Sequence, residues 1–169
     1  MKIYTYPDPV LRAHAEPVKK IDNDIQNLID NMIEAMYEAP GIGLAANQVG
    51  VLKRVIVFEG FPREKKGEPQ VLINPEIIVS EGKISSEEAC LSVIDYAADV
   101  TRASHIKARG LDRQGNVVEM EAEDLKAICL QHEIDHLNGV LFIDHISSLK
   151  RSLYKKRLKK RLKESEASA

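Results

Sequence analysis

The chain has 169 residues, 44% of them hydrophobic and 30% charged, with a formal net charge of −2, which suits one domain with a core of its own. No apolar run approaches the roughly 20 residues of a membrane span, and no basic-then-apolar leader opens the sequence, so we expect a cytoplasmic protein without a membrane segment. Two cysteines, Cys90 and Cys129, are too few for a disulfide scaffold, and reducing surroundings oppose a bond between them.

The first predicted element is a helix. After Asp22 or Asn23 as cap, Ile25, Leu28, Ile29, Met32, Ile33, Met36 and Tyr37 follow the i, i+3, i+4, i+7 rule, and Pro40-Gly41 ends the run. Its methionines read as core filler. Next, Gly41-Ile42-Gly43-Leu44-Ala45-Ala46-Asn47-Gln48 reads as a tight, small-residue loop packed under that helix, where the backbone can approach a ligand closely. It lacks the Lys-Ser/Thr pair of a phosphate loop, so no nucleotide cofactor is expected.

Strand-like runs follow. Arg54–Glu59 and Val71–Ser80 are rich in β-branched residues, with an exposed connection predicted at Phe61–Pro69. Ser104–Asp112 and Asn116–Glu123 flank Asp112-Arg113-Gln114-Gly115-Asn116, a hairpin signal. A second helix then runs from a cap at Asp124 to a stop at Asn138-Gly139. In the C-terminal part, Leu149, Leu153, Tyr154, Leu158 and Leu162 recur at helical spacing, predicting an amphipathic helix with the last few residues disordered. Residues 150–163 hold nine Lys or Arg and no acid, against fifteen basic and twenty-four acidic side chains in residues 1–149. An acidic body, 1–149, thus carries a basic helix and tail, 150–169, which reads either as a solvated helix face docked on that body or as a surface for electrostatic contact with nucleic acid. Strands before a central helix, with helices at both ends, make the fold class α+β.

The chemistry concentrates in Gln131-His132-Glu133-Ile134-Asp135-His136. Histidines four apart on a helix share one face, so both imidazoles can meet one ion with Glu133 beside them. A catalytic metal site usually has a third protein ligand and one open position. The metzincin pattern would need a histidine where Phe142 stands. The thermolysin pattern would need a glutamate on a following helix, yet only Glu164 and Glu166 lie downstream. The best remaining candidate is Cys90, in Glu88-Ala89-Cys90-Leu91-Ser92. The other histidines, His14, His105 and His145, lack ligand spacing and read as surface or hydrogen-bonded residues.

Three stretches, Gly41–Gln48, Glu88–Ser92 and Gln131–His136, resemble in order and spacing the signature motifs of the peptide deformylases. Tyr6-Pro7-Asp8-Pro9-Val10-Leu11-Arg12 and Val71-Leu72-Ile73-Asn74-Pro75 resemble that family too. The resemblance implies a peptide-deformylase-like fold, with antiparallel or mixed β-sheets around a central metal-binding helix. It implies an enzyme that hydrolyses the formyl group from formyl-methionyl nascent peptides and releases formate. Cys90, His132 and His136 would hold one divalent ion, Fe2+ by the family's habit, although Zn2+, Ni2+ or Co2+ suit the same ligands. Glu133 would act as general base, while the Gln48 amide and the Leu91 N–H would meet the oxyanion.

Gly43 would offer its backbone to the peptide, and Ile42, Leu44, Leu125, Ile128 and Cys129 would form the methionine slot. Asp135 is expected to orient a ligand histidine or to close the helix end. The basic helix would contact the ribosome. Ala89, Ile94 and Ala97 depart from the family pattern, which has glycine, proline and often arginine there. Two other readings are a neutral metallo-endopeptidase with the same motif and a catalytically weak, ribosome-associated peptide binder.

Overall fold

The computed structural model describes residues 1–60 and 67–168. Of the connection expected at Phe61–Pro69, residues 61–66 lie outside the described residues, as does Ala169. Helix α1 (Asn23–Glu38) begins where the Asp22 carboxylate accepts the Ile25 N–H at 3.1 Å, satisfying one of the orphan donors of the first turn. Its stripe of Ile25, Leu28, Ile29, Met32, Ala35 and Met36 is buried.

That stripe covers one face of a five-stranded sheet of order β1-β2-β3-β6-β7: β1 (Gly43–Ala45), β2 (Val55–Phe58), β3 (Gln70–Glu81), β6 (His105–Leu111) and β7 (Val117–Glu123). All of its pairings are antiparallel. Every residue of β2 is buried because both faces are covered. Val55 and Val57 pack toward α1, whereas Ile56 and Phe58 pack toward α2 (Asp124–Leu137), as the two-residue period of a strand requires. Each such side chain, fully buried, contributes roughly 1.5–3 kcal/mol.

Two expectations are corrected here. Gly43–Ala45, read as loop, is a strand paired with Ile56–Phe58, and Ala46–Val49 continues it as one 3-10 turn. Residues 84–102, given no strands from sequence, form a separate antiparallel hairpin of β4 (Ile84–Cys90) and β5 (Val93–Arg102). Beneath it lies a third apolar cluster, with Leu11, Val93, Val100, Leu141, Phe142 and Tyr154 buried together.

Helix α3 spans Ser148–Ser168, so the last residues, expected to be disordered, are helical as far as Ser168. It docks on the hairpin by Tyr154 and Leu158, with Arg157 donating to the Asp95 carbonyl at 3.1 Å and lying over the Tyr96 ring, and Arg161 paired with the Asp95 carboxylate. Leu149, Leu153 and Leu162 point outward, so only Tyr154 and Leu158 of the expected stripe form the docking face. Among the described residues, no helix is long and apolar enough to cross a membrane.

Candidate active site

Helix α2 enters from β7 with Glu123, not Asp124, at the cap position and with no side-chain cap. The Asp124 backbone N–H instead donates to the Ser104 carbonyl at 3.0 Å, with φ of +51° at Asp124. At the other end Gly139 turns the chain with φ of +74°, and a Cβ there would stand 2.5 Å from the Arg12 carbonyl oxygen. Between these ends the helix is packed on several sides, which is why polar residues such as Glu133 and His136 are buried beside Leu130, Ile134 and Leu137.

Cys90, at the end of β4, meets two of those residues. One donor atom from each of Cys90, His132 and His136 lies within 4.8 Å of the others, and among the described residues this is the one such group. The Cys90 sulfur is 3.3 Å from His136 Nε2, and the two imidazole centroids are 5.0 Å apart. A register shift aims the sulfur inward: Ala89 pairs with Ala97, but Cys90 pairs with Val93. The sulfur also accepts from the Ser92 N–H at 3.4 Å and from Gln48 Nε2 at 3.6 Å. Gln48 itself is buried, its Oε1 accepting the Ala45 N–H at 3.0 Å and its Nε2 donating to Ser92 Oγ at 3.0 Å. A cysteine sulfur and two imidazoles at such spacing fit a borderline divalent cation such as iron or zinc.

The carboxylate that meets an imidazole of this group is Glu88, not Asp135. Glu88 Oε1 sits 2.8 Å from His132 Nδ1, which turns His132 Nε2 toward the shared point. Arg102 clamps the same carboxylate, with Nε to Oε2 at 2.6 Å and Nη2 to Oε1 at 2.9 Å. Asp135 stands one step further out, accepting from Arg102 at 2.9 Å and lying 2.9 Å from His145 Nε2. Burial opposes the Glu88 charge, yet His132 and Arg102 hold its pKa at about 2. Burial likewise opposes charge on His132, but its contacts with Cys90 and Glu88 raise it to about 10, so an ion binding there displaces a proton. His136 is pushed well down by burial and by the neighbouring charges of His132 and Arg102, leaving a neutral ring.

Glu133 adjoins this group. Burial lifts its pKa to about 7 against the pull of His132 and Arg102. Its Oε1 is 3.8 Å from His132 Nε2, and its buried Oε2 has no hydrogen bond among the described residues. A carboxylate held near neutrality beside a candidate metal centre is suited to moving a proton.

A cavity of about 360 Å³ opens onto these groups. Gln48, Cys90, Leu91, His132 and Glu133 line its floor, and Ile42, Gly43, Leu125, Ile128 and Cys129 its apolar side. Leu44 is not among them. Strand alternation sends Gly43 and Ala45 toward α2 and turns Leu44 into the core under α1, where it is fully buried. Gly43 lets β1 pass close to the helix, because a Cβ there would stand 2.9 Å from Glu133 Cγ and 3.0 Å from Cys129 Sγ.

Both cysteines are free thiols; burial pushes the Cys129 pKa well up, and its sulfur lies 3.6 Å from the Ile42 carbonyl. Ala89 is exposed, lines the cavity, and is not among the residues of positive φ, so its methyl puts no strain on the backbone. Glu88, Arg102 and Ser92 were missed from sequence. Glu88 and Ser92 flank the cysteine inside a quoted motif, so their position was the available signal; Arg102, 12 positions beyond Cys90, gave none.

The family model described as Polypeptide deformylase matches residues 1–152. A peptide deformylase of Thermodesulfovibrio yellowstonii is 55% identical over 159 residues, covering 94% of this chain and 96% of that protein. The crystal structure of a peptide deformylase from Legionella pneumophila superposes with a TM-score of 0.88 at 43% identity, over 99% of this chain and 98% of the other. One from Ehrlichia chaffeensis, in complex with actinonin, gives 0.89 at 40% identity, over 95% and 96%.

Proposed function

The chain belongs to the polypeptide deformylase family and is an enzyme that removes the N-terminal formyl group from nascent peptides, and we propose that Cys90, His132 and His136 hold its one divalent ion. The observation that carries this is the convergence of a sulfur from β4 and two ring nitrogens from α2 within 4.8 Å, beside a buried glutamate. When bound, the ion supplies Lewis acidity that lowers the pKa of water from about 15.7 to about 7. Fe2+ is our choice for the cell, and Zn2+, Ni2+ or Co2+ would suit the same donors.

The residues of the chain do the rest. Glu133 takes a proton from the attacking water and returns it to the departing amine as the C–N bond breaks. Formate leaves, and the peptide keeps a free amino terminus. The Gln48 Nε2 and the Leu91 N–H donate to the formyl oxygen as it gains charge, and losing such a donor typically lowers the rate roughly a hundredfold to a thousandfold. Ile42, Leu125, Ile128 and Cys129 receive the unbranched methionine side chain, while the Gly43 backbone pairs with the peptide. The inhibitor actinonin, bound by the Ehrlichia chaffeensis relative, would occupy the same cavity.

We also assign the cytoplasm as its compartment, residues 1–149 as the catalytic domain, and 150–169 as an appended basic element for ribosome contact. Nothing in the site favours an endopeptidase, since the third donor comes from the hairpin rather than from a downstream helix. Formate release from formyl-Met peptides, measured beside metal analysis of wild type and Cys90→Ala, tests the assignment. One ion per chain with formate release is expected. A Cys90→Ala protein that keeps both would remove Cys90 from the set.

A further inference from the structure

The family resemblance gives the Gln48 amide a role but says nothing about what aims it. A carboxamide has a donor end and an acceptor end, and only the donor end can meet an oxyanion. In this chain the choice is made by two contacts. Gln48 Oε1 is taken by the Ala45 N–H at 3.0 Å, and Nε2 is held by Ser92 Oγ at 3.0 Å. Both Gln48 and Ser92 are essentially fully buried. The remaining Nε2 hydrogen is directed at the Cys90 sulfur, 3.6 Å away. Ser92 is anchored in turn, its N–H donating to that sulfur at 3.4 Å and its carbonyl accepting the Tyr6 N–H at 2.7 Å.

We infer that Ser92 is a positioning residue for the deformylation reaction: its hydroxyl holds one N–H of Gln48 so that the other is poised between the Cys90 sulfur and the substrate's carbonyl oxygen. The inference rests on Cys90 being a metal ligand. In the resting enzyme the poised N–H tempers the thiolate. With substrate in place it passes to the formyl oxygen as that oxygen gains negative charge. Removal of the hydroxyl leaves the amide gripped at one end only.

The test is a double-mutant cycle of Ser92→Ala and Gln48→Leu, with two readouts on each protein. The first is kcat and KM for a formyl-Met peptide. Ser92→Ala is expected to lower kcat about tenfold with KM changed less than about twofold, the scale of one neutral hydrogen bond. In the Gln48→Leu background the same substitution should change little. The second readout is the thiolate-to-metal charge-transfer band of Co2+-loaded protein, which should move to longer wavelength in Ser92→Ala and in Gln48→Leu, because the sulfur loses a donor. Ser92→Thr, which keeps the hydroxyl, should restore the wild-type band and serves also if Ser92→Ala is poorly folded; a Thr band displaced as in Gln48→Leu would overturn the inference. So would a wild-type band in Ser92→Ala, or an effect of Ser92→Ala that persists undiminished without Gln48. A wild-type cobalt protein with no thiolate band would overturn the ligand assignment of Cys90 itself, and this inference with it.

Discussion

One sheet separates two layers built on opposite principles. On the α1 side, Ile29, Met32 and Met36 meet Leu44, Val55 and Val57 in a dry apolar contact. On the α2 side, the same strands meet a helix that also buries Glu133 and His136, and Glu88 and Arg102 lie buried where the helix meets the hairpin. The first layer gains stability from each residue it hides. The second hides groups that would destabilise it singly; a chain of contacts holds His132 on Glu88, Glu88 on Arg102 and Arg102 on Asp135, while Glu133 Oε2 and His136 Nδ1 are buried without a hydrogen bond among the described residues. The candidate site sits where burial shifts proton affinities, and the apolar layer packs behind it.

That contrast can be broken most sharply at Glu133. Glu133→Gln keeps the shape of the buried side chain but removes the proposed base, so kcat should fall by about 10²–10⁴-fold while metal content, read by elemental analysis, is retained. Glu88→Ala is expected to do the reverse kind of damage. It strands the Arg102 guanidinium in the interior, destabilising the fold by about 3–5 kcal/mol in denaturant titrations, and it frees the His132 ring, weakening metal affinity about 10- to 100-fold. On the other side of the sheet, Met32→Ala should cost about 2–5 kcal/mol of stability through the cavity it leaves, with kcat per folded molecule unchanged.

The smallest effect is on pH. Glu88 has a folded pKa of about 2 against an ordinary 4.5, so its contribution to stability is complete above pH 4.5 and is lost as pH falls toward 2. Thermal melts of metal-free wild type should show that decline, and Glu88→Gln should flatten it.

The apolar layer was legible in the sequence because its code is local. The spacing of Ile25, Leu28, Ile29, Met32 and Met36 specifies a helix face whatever lies opposite, and Asp22 marks its start. The candidate site was half legible. His132 and His136 share a face by helical geometry alone, but the sulfur facing them comes from a hairpin whose pairing is a tertiary fact. Glu88–Ala98 and Ala89–Ala97 are joined across a turn, and nothing in the polar, small-residue run Ser85–Ala89 reads as a strand by itself. Gly43–Ala45 was misread for the same reason: it is a strand only because Ile56–Phe58 lies beside it. Leu44 then falls on the far face by simple alternation. Asp135 was named as the orienting carboxylate and Glu88 was missed, yet Asp135 looks away from both histidines, toward Arg102 and His145.

The arrangement of Cys90 and His136, 46 positions apart along the chain, carries a last consequence. An ion gripped by both would act as a clasp that closes a long loop, restricting the unfolded polymer far more than a bond between sequence neighbours could. Such a clasp can fasten only after β4 and the whole of α2 have been synthesised and brought together. If Cys90, His132 and His136 hold the ion, an enzyme that trims newborn chains would stay idle through most of its own synthesis and take up its metal late in folding.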